Sequence, residues 1–113
     1  EAAYEEARDH RGDPAREGIL GMVLYAHEQY EFAAPCFQRA HVTDPGEGRW
    51  AYYLGRAQVY LGDSEAAVGA LLQALERRPG YLPAQVMLAQ AALEAGAVDK
   101  NVPILITRVW AKR

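Results

Sequence analysis

The sequence has only one cysteine, Cys36, which excludes an internal disulfide. It has three histidines, His10, His27 and His41, which fall on three separate stretches without metal-ligand spacing. Cys36 and His41 are five residues apart, which does not stack them on one helix face. No second cysteine precedes a histidine, so a covalent haem site is absent. There is no glycine-rich phosphate loop, no Gly-x-Ser-x-Gly elbow and no His-Glu-x-x-His. Positive charge is not in excess: 12 Lys and Arg stand against 15 Asp and Glu, a net charge of −3. That balance argues against phosphate-backbone binding, which takes clustered cations. No apolar run approaches the ~20 residues that span a bilayer. The longest, Val102 to Trp110, is interrupted by Pro103, Thr107 and Arg108. The expectations are no catalysis, no cofactor, no metal, no nucleic acid and no membrane insertion. The chain starts at Glu1 rather than a methionine and shows no secretory signal. It is expected to be a soluble piece of something longer, with the cytoplasm slightly favoured and the compartment otherwise open.

What is present is periodic. Leu20-Gly21, Leu54-Gly55 and Leu88-Ala89 lie 34 residues apart, and so do Phe37, Leu71 and Leu105. The pairs Ala33/Ala67, Ala40/Ala74 and Pro45/Pro79 keep the same spacing. Inside each period two amphipathic stretches flank a turn. Such a repeat stacks helical hairpins side by side instead of closing one core.

Taken in order, residues 1–13 read as the remnant of a preceding helix or a cap, with Ala3, Tyr4 and Ala7 on one side. Arg11-Gly12-Asp13-Pro14 breaks it, and the Arg-Gly-Asp triplet is read as chance at a helix break. Repeat 1 (14–47) has a first helix to about His27, with Ile19, Leu20, Val23 and Leu24 as its buried stripe. Its second helix, about Tyr30 to Thr43, buries Tyr30, Ala33, Ala34, Phe37, Ala40 and Val42. Pro35 is expected in the first turn, where N–H groups lack internal partners anyway. Repeat 2 (48–81) has a first helix from about Glu47 to Leu61, turns at Gly62-Asp63-Ser64 and buries Ala67, Leu71, Ala74 and Leu75 on its second helix. Asp63 or Ser64 is expected to cap its second helix. The small residue recurring at Gly21, Gly55 and Ala89 marks a point where two helices cross closely. Repeat 3 (82–113) is a degenerate C-terminal cap, its second helix carried by Val102, Leu105, Ile106, Val109 and Trp110, with an extended tail as the alternative.

These marks resemble the tetratricopeptide repeat family. They are Leu20-Gly21, Tyr30, Ala33, Phe37, Ala40 and Pro45, then Leu54-Gly55, Gly62-Asp63, Ala67, Leu71, Ala74 and Pro79, then Leu88-Ala89, Gly96 and Leu105. The chain departs from the family in three places. The early tryptophan is one position off, at Trp50; Glu28 replaces a turn glycine; Gln58 replaces an aromatic. The resemblance implies an all-α, right-handed helical-hairpin solenoid of about three repeats.

It also implies a concave wall made by the first helix of each hairpin. Carried over, that wall is Met22, Tyr25 and Ala26; then Arg49, Tyr52, Arg56, Val59 and Tyr60; then Val86, Gln90, Leu93 and Glu94. Arg49, Tyr52 and Arg56 stand at i, i+3 and i+7, so they share one stripe. Exposed tyrosine with arginine combines rigid aromatic area with a planar fork for carboxylates. The expected partner is a protein or peptide segment with an acidic or C-terminal carboxylate group held by Arg49 and Arg56. The competing reading has these rings packed on the next unit, with Arg56 covering Tyr52 or Tyr60. Met22 and Gln90 stand where the family's carboxylate clamp would place polar amides or charge, so that subtype is not expected. The alternative function is self-association, as a homo-oligomer, or docking within a larger protein through the apolar tail Val102–Trp110.

Overall fold

The computed structural model describes residues 13–96. Within them the chain forms α1 (Pro14–Ala26), α2 (Tyr30–Thr43), α3 (Gly48–Tyr60), α4 (Ser64–Arg77) and α5 (Leu82–Glu94). There is no strand among the described residues. The expected cap in 1–13, apart from Asp13, and the second helix of repeat 3 with its tail lie outside the described residues.

Each helix begins and ends for local reasons. Asp13 caps α1, its Oδ1 accepting from Ala15 N at 3.0 Å, and Pro14 supplies a residue that needs no N–H partner there. Glu47 caps α3, accepting from Arg49 N at 3.2 Å. Asp63 is the cap residue of α4, one of the two expected, though its side chain makes no capping bond. Pro35 lies inside α2, deeper than the expected first turn, and is solvent-exposed.

The turn that ends each first helix is the same three times over. Glu28, Gly62 and Gly96 have φ of 58°, 81° and 67°, and they are 34 residues apart. Gln29 N donates to Leu24 O and Asp63 N to Gln58 O, both at 2.9 Å, the backbone closure of a left-handed helix stop. Glycine takes that backbone at no cost in Cβ crowding, whereas Glu28 must bear it.

The helices pack in chain order, α1 on α2, α2 on α3, α3 on α4 and α4 on α5. The first helices of successive hairpins also touch, α1 with α3 and α3 with α5, while α1 and α5 do not pack. The array is therefore an open helical-hairpin solenoid.

Its repeated lock is a ring or branched side chain pressed onto a glycine. A Cβ on Gly21 would fall 2.7 Å from Phe37 Cε1, and one on Gly55 would fall 2.6 Å from Leu71 Cγ. Phe37 and Leu71 are both wholly buried, as are Ala33 and Ala67. Each large side chain so buried contributes about 1.5–3 kcal/mol. Trp50 is 2% exposed, lying against Gly18 in the hairpin before it. Part of the expected stripe in repeat 1 is not core. Leu20 is buried, but Ile19 is 53% exposed, and Val23 and Val42 are also on the surface.

Candidate functional site

The 34-residue register places Met22 on α1, Arg56 on α3 and Gln90 on α5 at equivalent points of three adjacent first helices. Met22 and Arg56 are half-buried, and Gln90 is exposed. This row is the spine of the expected wall.

Around Arg56 the tyrosines form a cluster that joins two hairpins. Tyr25 of α1 meets Tyr53 and Tyr60 of α3 edge-on, with ring centroids 6.0 and 6.1 Å apart, and Tyr30 of α2 at 5.3 Å. Tyr30 and Tyr60 stack at 4.6 Å with an interplanar angle of 10°. The Arg56 guanidinium carbon sits 5.4 Å from the Tyr25 ring centre and 5.6 Å from that of Tyr52, within cation–π range. Arg56 Nη1 donates to Tyr52 Oη at 3.2 Å. Arg56 Nε and Tyr25 Oη are enclosed and make no hydrogen bond of good geometry. Arg56 has no carboxylate partner among the described residues.

Burial sets the protonation of the rings. Loss of solvent raises the Tyr25 hydroxyl well above its ordinary range; Arg56 opposes this, while Tyr60 and Tyr30 reinforce it. Tyr52 is likewise raised by burial against the pull of Arg56. Both hydroxyls stay protonated at neutral pH, enclosed within the cluster.

Several residues of the expected wall are not open. Tyr52 is only 6% exposed, because Tyr81 from the start of the third hairpin closes on it edge-on at 5.1 Å. Val59 is buried as well. For Tyr52, then, the packed reading holds and the exposed one is corrected. Tyr25 is half-buried among rings, while Tyr60, at 54% exposure, offers one face. Arg49 is exposed but engaged: it lies 4.3 Å over the Trp50 ring and reaches Glu47 at 3.8 Å. The structure thus does not pair Arg49 with Arg56 as an unoccupied couple. Val86 and Leu93 are exposed on α5, at 56% and 76%, beside exposed Gln90 and Glu94. Ala26 is exposed too.

Sequence reasoning missed Tyr53 and Tyr81, which frame the same region. Their signal was available, since Tyr53 follows Tyr52 and Tyr81 falls just before α5. Tyr30, expected in the core, instead shares the cluster as a half-buried ring. Among the described residues no group of His, Cys, Asp and Glu is arranged to hold a metal ion. No helix among them is long and apolar enough to cross a membrane.

A family model described as tetratricopeptide repeat matches residues 20–81 and, overlapping them, 54–108. Among curated proteins the chain is similar to peroxisomal targeting signal receptors of three organisms. Identity is 27% with that of Candida glabrata, 24% with that of Saccharomyces cerevisiae and 26% with that of Eremothecium gossypii. Each similarity runs over 95 residues, 84% of this chain. It spans 16% of the first two receptors and 17% of the third, so the chain corresponds to about a sixth of those proteins.

Proposed function

The chain belongs to the tetratricopeptide repeat family, and from that premise we propose that it is a non-catalytic protein-interaction module that takes a peptide segment of a partner along the wall of α1, α3 and α5. The observation that carries this reading is Arg56: a half-buried guanidinium at the middle of the spine, framed by Tyr25 and Tyr52, without a carboxylate of its own. A cation half-buried among rings gains more from a ligand carboxylate than a fully solvated one does. Tyr60, Val86 and Leu93 supply apolar area on either side of it. The relatives are named as receptors for a targeting signal, which supports a short linear segment as ligand. An acidic or C-terminal carboxylate group on that segment is assigned to Arg56, with Arg49 relegated to the rim.

A peptide library with free C-terminal carboxylates, screened beside the same sequences amidated, tests this. Binders are expected to prefer the free acid, and Arg56→Gln to weaken them on the order of tenfold or more. Equal binding of both sets, or an unchanged Arg56→Gln variant with intact circular dichroism, overturns the assignment.

A second reading is supported by α5, which leaves Leu82, Val86 and Leu93 exposed. This stripe favours self-association or docking within a larger protein. Light scattering over a concentration series decides it: mass that rises with concentration and falls with Leu93→Ser supports association, and a constant monomer mass opposes it.

A further inference from the structure

Beside the Arg56 cluster, with Tyr52 in common, a hollow of about 100 Å³ lies where the start of α3 meets the end of α4 and Tyr81. Its lining includes Arg49, Tyr52, Tyr53, Ala74, Arg78 and Tyr81. Both arginines are laid on aromatic rings, Arg49 at 4.3 Å over Trp50 and Arg78 at 4.5 Å over Tyr81. A guanidinium drawn to a ring by cation–π attraction still offers its N–H donors to a carboxylate. Arg78 has no carboxylate partner among the described residues, and Arg49 meets only Glu47, at 3.8 Å.

We propose that this hollow is a subsite for an acidic side chain, aspartate or glutamate, of the peptide that the wall binds. The proposal rests on the reading of the wall as a peptide groove. Size limits the occupant. A cavity of about 150 Å³ takes benzene, so the smaller volume here suits a carboxylate on one or two methylenes better than an aromatic ring. Charge selects it further: two arginines line the hollow, and none of its lining residues is acidic. The end of α4 carries partial negative charge that opposes an anion, and Arg77 and Arg78 stand there to offset it. The ring beside each arginine, Trp50 and Tyr81, narrows the positions its guanidinium takes before a ligand arrives, which lowers the entropy lost on binding.

The probe is N-acetylated, C-amidated tetraglutamate, which has no terminal carboxylate, titrated into the full chain and followed by the arginine Nε–Hε resonances. The Arg49 and Arg78 signals are expected to shift saturably, and Arg78→Gln to weaken the response on the order of tenfold. Tetraglutamine is expected to leave them in place. Equal shifts at Arg77, which points to diffuse charge attraction, or an undiminished response in Arg78→Gln, overturns the subsite. Arg56→Gln separates this outcome from that of the groove. It is expected to abolish the preference for a free C-terminus while the Arg49 and Arg78 signals still shift saturably with tetraglutamate, since Arg56 does not itself line the hollow. If the free-acid preference is absent but the Arg78-dependent response is present, the assignment of Arg56 fails and the acidic subsite stands.

Discussion

The indole of Trp50 occupies the space that a side chain on Gly18 would need. The two residues belong to successive hairpins, so this contact helps set how closely the second unit seats on the first. Gly69, on the exposed side of α4, has nothing within 4 Å of where its Cβ would be. The same substitution should therefore have opposite signs at the two sites. Gly18→Ala is expected to destabilise by about 1–3 kcal/mol through overpacking, and Gly69→Ala to stabilise by about 0.5–1 kcal/mol through helix propensity and a restricted unfolded chain. Urea denaturation of both variants checks this, and a Gly18→Ala midpoint at or above the parent's would refute the contact.

Glu28 carries a left-handed backbone, φ 58°, at the place where the next two units use glycine. A non-glycine residue there bears a cost of roughly 1–2 kcal/mol, partly returned because glycine is more flexible when unfolded. Glu28→Gly is expected to raise stability by about 0.5–1 kcal/mol, while Gly62→Glu lowers it. Thermal melts of the two variants should move in opposite directions.

These two cases show how far the sequence could be read. The 34-residue register was legible because Phe37 and Leu71 must meet a glycine in the preceding helix, and Gly21 and Gly55 are spaced to provide it. Gly18 was legible only as a poor helix former, since its partner Trp50 sits in the next unit, off the usual place for tryptophan. The wall was less readable for a similar reason. Periodicity places Tyr52 and Arg56 on one stripe, but whether a ring is open depends on the neighbouring hairpin, and Tyr81 is what covers Tyr52. Ile19, Val23 and Val42 have helical spacing and apolar side chains, yet nothing among the described residues buries them fully. Arg49 is engaged by residues two and one positions away, Glu47 and Trp50, local pairings that face assignment overlooks.

Glu17 is the buried charged residue of the described core, and Arg39 Nε and Nη2 both reach its Oε2 at 3.1 Å. The carboxylate side chain is 8% exposed while that of Arg39 is 56% exposed. Arg39→Leu leaves the carboxylate buried without its cation. The expected loss is about 1–3 kcal/mol, below the ~3–5 kcal/mol of a fully buried pair because solvent screens the arginine. Glu17→Leu/Arg39→Leu together should recover most of that loss. Chemical denaturation of the single and double variants closes the cycle, and additive losses would rule out the coupling.

Alkaline titration should find Tyr25, Tyr30 and Tyr52 late, since burial raises all three. Their folded values lie above the unfolded value of about 10. A raised acid of this kind favours the folded state while both states are protonated. Its contribution is complete below about pH 10 and is lost as pH climbs through the folded value. Absorbance at 295 nm should show a late component that coincides with loss of helix. Tyr25→Phe should shrink that component, and an unchanged titration would remove Tyr25 from it.

The absence of packing between α1 and α5 has a kinetic consequence. Among the described residues, each helix pair that packs closely is separated by at most one intervening helix, so these contacts join segments near one another in sequence. Such local wiring favours rapid assembly from any starting hairpin. It also confines the damage of a substitution to the hairpin that carries it and those on either side.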